Sequence, residues 1–232
     1  MPTIVVTGGT KGLGRAIAEL FATKGFTVVT CARTEADLRS AEAYWATHFP
    51  ESRLLTFQTD VSKKSEVVEF GAFIRQHFDK IDILVNNAGL YLPGLVTQEQ
   101  DGTLESLMET NLFSAYYITR GLLPLLGRGS HIFNMCSVAS ILAYPNGGSY
   151  SIAKFALHGF SKALREELKP AGVKVTALLP GATWSESWHG VDLPHERLMQ
   201  ADDIARIVWG AYDLSPAAVV EEILIRPQLG DL

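Results

Sequence analysis

Three side chains suited to proton transfer fall within one short stretch, "SVASILAYPNGGSYSIAK", at 137–154. Tyr150 and Lys154 are four residues apart, which sets a phenol and an amine on one face of a helix. Ser137 lies thirteen residues before the tyrosine, at the end of an apolar run. Such groups can carry a proton to or from a substrate oxygen, but the same spacing also suits a strand and a helix joined by an ordinary turn. A second tyrosine, Tyr144, has Gly148 rather than an amine four positions on. It suits a substrate wall, or the packing of the turn "ILAYPNGG", better than proton transfer.

Far upstream, "TGGTKGLG" at 7–14 follows a β-branched run and opens a segment of helical period. Gly8, Gly12 and Gly14 permit a tight turn and close approach of backbone to a ligand, and a helix N-terminus aims unpaired N–H groups at a pyrophosphate. The spacing departs from the common GxGxxG, so a glycine turn of purely structural purpose remains the alternative to a dinucleotide site. About twenty residues on, where an NAD site presents a carboxylate, the chain reads "CART" and presents Arg33. With Lys11 inside the turn, two cations could meet a 2′-phosphate, which favours NADP(H) over NAD(H). The competing reading is two solvated surface charges.

These residues need a frame that brings them together. Seven short strand-like runs recur, "TIVVT", "TVVTC", "LLTFQ", "IDILVNN", "HIFNMCS", "VKVTALL" and "EEILIR", separated by segments of helical period such as "GRAIAELFATKG" and "SKALREELKPAG". Strands alternating with helices predict a single-domain, Rossmann-type doubly wound α/β sheet, mainly parallel, with helices on both faces. The longest irregular segment, 181–200, follows the sixth strand at its carboxyl end, where open α/β sheets bind ligands. It is expected to cover the substrate. The 232 residues are 47% hydrophobic and 19% charged with a net charge of −5, which argues against a nucleic-acid or anionic-membrane partner. The absence of a signal-like start or a long apolar span points to the cytoplasm. Cys31 and Cys136 each close an apolar run and read as buried free thiols, and no metal-ligand cluster is present.

The TGxxxGxG spacing of 7–14, the "NNAG" at 86–89, and "YSIAK" with Ser137 upstream together resemble the short-chain dehydrogenase/reductase family, over nearly the whole chain. The resemblance implies a hydride transfer between NADPH and a carbonyl or secondary alcohol. It makes Tyr150 the acid/base, Lys154 its partner, Ser137 the hydroxyl that orients the carbonyl, and Asn111 the support of a water relay. For the cofactor it implies Gly8, Thr10, Lys11, Gly12, Leu13 and Gly14 at the pyrophosphate. Arg33, Asp60 and Val61 fall toward the adenine end, Asn87, Ala88 and Gly89 under the ribose, and Pro180, Gly181 and Thr183, beside Tyr150 and Lys154, at the nicotinamide. Ser185 stands where the family usually has threonine. A homodimer or homotetramer is implied as well, packed through the helices carrying Asn111 and Tyr150.

Leu142, Tyr144, Trp184 and Trp188 are the side chains expected to face a small-molecule carbonyl substrate, with His189 and His195 of the same irregular segment as further candidates. Tryptophans and few cations there suggest an apolar or aromatic compound. The alternatives are a non-catalytic dinucleotide-binding sensor or scaffold and a 3-oxoacyl-type reductase. The C-terminal "VVEEILIRPQLGDL" resembles the endings of sepiapterin-reductase-like and 3-hydroxy-acid-dehydrogenase-like members of the family.

Overall fold

In the computed structural model, which describes residues 1–185, 188 and 190–231, the seven β-branched runs form one sheet. Its strands are β1 (Thr3–Thr7), β2 (Thr27–Ala32), β3 (Leu54–Gln58), β4 (Ile83–Asn86), β5 (His131–Met135), β6 (Lys174–Pro180) and β7 (Glu222–Ile225). They lie in the order β3-β2-β1-β4-β5-β6-β7, every pairing parallel, with Val5 opposite Val29 on one side and Leu84 on the other. The order reverses between β1 and β4. That crevice, beyond the carboxyl ends of the strands, is the topological switch point at which ligands bind in such sheets.

Burial on both faces explains the nearly unbroken apolar strands. Ile4 and Val6 of β1 point into a core shared with Ile17 and Phe21 of α1 (Gly12–Thr23), Trp45 of α2 (Glu35–His48) and Val208 of α7 (Ala201–Tyr212). Val5 points the other way, toward Phe70 and Ile74 of α3 (Lys64–His77), Ile118 of α5 (Ser114–Leu122) and Leu164 of α6 (Gly148–Leu168). Helix α7, not singled out from sequence, packs against α1, where Phe21 meets Trp209 edge-on at 5.3 Å. Both cysteines are buried free thiols, and burial raises Cys31 to about 12 and Cys136 to about 11. No helix among the described residues is long and apolar enough to cross a membrane.

Three local departures from the sequence pattern bear on the site. Strand β4 stops at Asn86 rather than running on through Asn87, because Asn87 leaves the ladder and bonds to β1. The run "LESLMETNLFSAYYITRGLLPLL" at 104–126, helical in period, is not one α-helix: α4 (Thr103–Met108) passes into a π-helical segment, Glu109–Phe113, before α5, and Leu123–Leu125 is a 3₁₀ turn. The connection from β4 to α4 occupies 87–102 with no helix or strand, a second long loop beside the 181–200 loop that follows β6. The latter contains a 3₁₀ turn at His195–Arg197 and a bridge between Thr183 and Met199.

Candidate active site

The glycine turn is shaped by what lies beneath it. Thr7 closes β1, and its hydroxyl accepts from the N–H groups of Asn87 and Ala88, each at 3.0 Å. The Asn87 amide donates to the carbonyls of Thr7 at 2.9 Å and Gly8 at 3.2 Å. Gly8 and Gly12 have φ of +65° and +52°, the left-handed region that glycine enters without strain. A Cβ on Gly14 would strike the Asn87 amide and sit 2.5 Å from the Gly8 carbonyl. The turn and the "NNAG" segment therefore interlock across the switch point. Helix α1 starts with no side-chain cap and no acid in its first turn, so its first N–H groups remain available to an anion.

At the other end of the crevice Arg33 is exposed just past β2. Lys11 is engaged: its ammonium lies 3.0 Å from Asp37 in the first turn of α2. That bond, with help from the Thr34 hydroxyl and the nearby Arg33, holds the Asp37 carboxyl below its usual range. Burial works to raise Asp60, but the hydroxyl and N–H of Ser62, with Lys63 and Arg33 adding to them, hold it low. Val61 lies beside it, partly buried. Thr30, which sequence offered no reason to select, accepts from Gly9 N–H at 2.9 Å and donates to Val6 O at 2.8 Å, fixing the turn from below.

The proton-transfer groups converge at the ends of β4 and β5. Ser137 follows β5 and caps a 3₁₀ turn, Val138–Ser140; its hydroxyl accepts from Ala139 N–H at 3.1 Å. Tyr150 projects from the first turn of α6 toward it. Desolvation pushes the Tyr150 phenol up to about 12, while the Ser137 hydroxyl beside it pulls the other way. One turn on, Lys154 is 4% exposed and donates to Met135 O at 2.7 Å. Burial lowers its ammonium to about 8. The Lys154 nitrogen is 5.7 Å from the centre of the Tyr150 ring.

Asn111 sits in the π-helical segment, a feature that favours functional sites, and is buried. Its amide oxygen accepts from Leu90 N–H at 3.0 Å and its NH₂ donates to Leu90 O at 2.9 Å. Gly89 lies between these groups: a Cβ there would be 2.8 Å from the Asn111 oxygen and 3.7 Å from the Lys154 nitrogen. Asn111, Gly89, Lys154, Tyr150 and Ser137 thus line one end of the crevice that the glycine turn opens.

The apolar candidates divide. Leu142 and Tyr144, on the turn before α6, are exposed overall, yet partial desolvation of the Tyr144 hydroxyl, with the neighbouring Tyr91, raises its phenol. Tyr91, unnoticed in the sequence, stands edge-on to Tyr150 with ring centres 4.9 Å apart. Trp184 donates its indole N–H to His195 O at 2.7 Å, so both belong to one fold of the 181–200 loop. Trp188 is partly buried, and His189 lies outside the described residues. Gly181 follows Pro180 at the end of β6; Thr183 is buried, donating to Gly181 O at 3.0 Å. The C-terminal tail folds back onto this segment, where the Asp231 carboxylate accepts from Ala182 N–H at 2.9 Å and Arg197 donates to Gly230 O at 2.8 Å.

Comparison with known proteins extends this geometry. A family model described as short chain dehydrogenase matches residues 2–193. The chain is 32% identical over 239 residues to the sepiapterin reductase of Chlorobaculum tepidum, covering 99% of this chain and 97% of that protein. The alcohol dehydrogenase of Thermococcus sibiricus, complexed with 5-hydroxy-NADP, superposes with a TM-score of 0.90 at 25% identity, over 100% of this chain and 99% of that one. The NADPH-bound short chain oxidoreductase of Pseudomonas aeruginosa PAO1 gives 0.91 at 25% identity, over 99% and 96%. With the interlocked glycine turn and the Ser137, Tyr150 and Lys154 cluster, these matches make the chain an oxidoreductase belonging to the short-chain dehydrogenase/reductase family.

Proposed function

We propose that the protein is an NADP(H)-dependent carbonyl reductase, running in reverse as a secondary-alcohol dehydrogenase, with Tyr150 as its acid/base. The observation that carries this is the convergence of a half-buried, protonated phenol, a hydroxyl and a buried amine beside a glycine turn at the switch point. The residues fit the cofactor: a side chain at Gly12 would project into the open space before α1, Gly8 and Gly14 let the turn pack onto the 86–89 segment, and the α1 amides lack a cap. Thr10 and Leu13 complete that turn. Arg33 and Lys11 would hold the 2′-phosphate, Lys11 after parting from Asp37. Asp60 and Val61 would flank the adenine, Asn87, Ala88 and Gly89 the ribose, and Pro180, Gly181 and Thr183 the nicotinamide end.

Held by these residues, NADPH would supply the hydride to the carbonyl carbon. Ser137 donates a hydrogen bond to the substrate oxygen and fixes it near the phenol. As that oxygen becomes an alkoxide, Tyr150 gives up its proton to it. A phenol raised by burial is a proton donor at neutral pH, and the Lys154 ammonium nearby favours the phenolate that forms. Asn111, by gripping Leu90, holds the floor over which protons return. The apolar wall of Leu142, Tyr144, Trp184 and Trp188 favours an apolar or aromatic carbonyl compound, and the likeness to a sepiapterin reductase makes sepiapterin the first compound to test. One cofactor- and substrate-binding unit is expected to assemble as a homodimer or homotetramer through the exposed Phe113, Ile152 and Phe155 of the helices carrying Asn111 and Tyr150.

The test is NADPH oxidation against ketones, diketones, pteridines and 3-oxo esters, with Tyr150→Phe alongside. Loss of the acid should lower turnover by about 10²- to 10⁴-fold while NADPH binding, followed by its fluorescence, is retained. Substantial reduction by the phenylalanine variant would remove Tyr150 from the role. A wild-type protein that binds NADPH but oxidises it with none of these compounds would favour a dinucleotide sensor.

A further inference from the structure

Helix α6 begins at Gly148, two residues before Tyr150, with no capping side chain at Gly147 and no acid in its own first turn. Its first amides need partners from elsewhere. One comes from fifty residues away: the Glu99 carboxylate, on the 87–102 loop, accepts from Ser149 N–H at 2.9 Å with one oxygen and from the Ser149 hydroxyl with the other. A second tie joins the same two segments, Gly94 N–H donating to Asn146 O at 3.0 Å. The backbone makes room for this contact. Gly148 has φ of +39°, and a Cβ there would fall onto the Glu99 carboxylate and 2.5 Å from Gly94 O. A Cβ on Gly94 would sit 2.9 Å from the Glu99 side chain.

The tied loop bears Tyr91, edge-on to the Tyr150 ring, and the exposed Leu92, Leu95 and Val96. The tied turn bears Leu142 and Tyr144. We propose that Glu99 is a positioning residue: it pins the loop that walls the substrate to the helix turn that carries the proton donor, so that both move as one piece. This rests on Tyr150 being the acid/base. The negative charge of Glu99 lies at the N-terminus of α6, the positive end of the helix dipole, which adds to the tie. A misplacement of about 1 Å between donor and substrate is enough to lower the rate by roughly 100-fold.

The experiment compares Glu99→Ala with Glu99→Gln in the full chain. Glutamine keeps an oxygen for Ser149 N–H and an NH₂ for the Ser149 hydroxyl, so it retains the tie without the charge. The alanine variant should lose about 10- to 100-fold in kcat/KM for a carbonyl substrate, with NADPH affinity unchanged, and glutamine should restore most of it. Amide exchange reads the pin without turnover. In the alanine variant residues 90–99 and 148–150 should exchange together about tenfold faster, with β1 and β4 as protected as before and glutamine close to wild type. Wild-type exchange in both segments of the alanine variant, or a glutamine variant as impaired as alanine, would overturn the proposal. Should the wild type reduce no carbonyl compound, the Tyr150 reading fails while the exchange result still decides the pin.

Discussion

Lys154 is an ammonium held away from water that donates to the Met135 carbonyl, and folding strips its hydration with no carboxylate among the described residues paired to it. Its pKa falls to about 8 in the folded chain and stays near 10.4 when unfolded. Between those values the unfolded chain binds more protons, so stability rises with pH; below about 8 the full burial penalty, of order 3 kcal/mol, is present. A Lys154→Met variant should therefore be inactive as a reductase yet at least as stable as wild type at pH 7. The gap should shrink from pH 8 toward 10, as urea denaturation at stepped pH would measure. A variant markedly less stable at pH 7 would show that the Met135 bond outweighs desolvation. Tyr150 has the opposite sign: the folded state keeps its proton to about 12 against about 10 unfolded, so its share of stability is lost between those values. The same shift makes reduction the direction favoured at neutral pH, with alcohol oxidation rising as pH rises and the phenolate becomes accessible. Parallel pH–rate profiles in both directions would check this.

The elements that matter most to the site are its turns, because the strands only deliver chain ends to the crevice. The glycine turn depends on contacts between segments about 80 residues apart, Thr7 and Gly8 with Asn87. Gly14→Ala should be felt there, since its Cβ meets the Asn87 amide and sits 2.5 Å from the Gly8 carbonyl. We expect a loss of about 1–3 kcal/mol by chemical denaturation, together with weakened NADPH binding. Gly12→Ala has open space around the new Cβ and meets only the backbone penalty of φ +52°, so it should be milder in stability. The π-helical segment at Glu109–Phe113 turns the Asn111 side chain onto Leu90. The Asp231 bond to Ala182 holds the start of the 181–200 loop against the C-terminal tail in a comparable way.

Across the whole molecule the net charge is −5, so an anionic cofactor has to be drawn in by local geometry rather than by overall field. Arg33 and Lys11, both exposed, are the cations proposed to meet it, Lys11 being engaged by Asp37. Because NADPH binds only the folded chain, it should raise the melting temperature, by the equivalent of about 2.7 kcal/mol at 100 times Kd. NADH at equal concentration should do less. Arg33→Ala should weaken NADPH by about 10- to 100-fold, the loss of a charge-assisted pair, and leave NADH unchanged. A thermal-shift series with both nucleotides decides this, and equal stabilisation of the variant by NADPH would remove Arg33 from cofactor selection.

The alternation of apolar runs with helical periods was enough to determine seven strands and the doubly wound class, because strand patterns and turn glycines are local chemistry written in consecutive residues. The "TGGTKGLG" turn, Arg33, and the Ser137, Tyr150 and Lys154 spacing were readable for the same reason: each is a short-range signal. What tertiary structure alone decided is long-range. Thr30 under Gly9, Asn87 against Gly14, Tyr91 edge-on to Tyr150, and Glu99 on Ser149 join residues 21 to 73 positions apart, and no local pattern marks them. The burial that raises Tyr150 and lowers Lys154 likewise comes from the packing of α6 on the sheet, which brings in atoms from β5 and the 87–102 loop that neighbouring residues in the chain cannot provide.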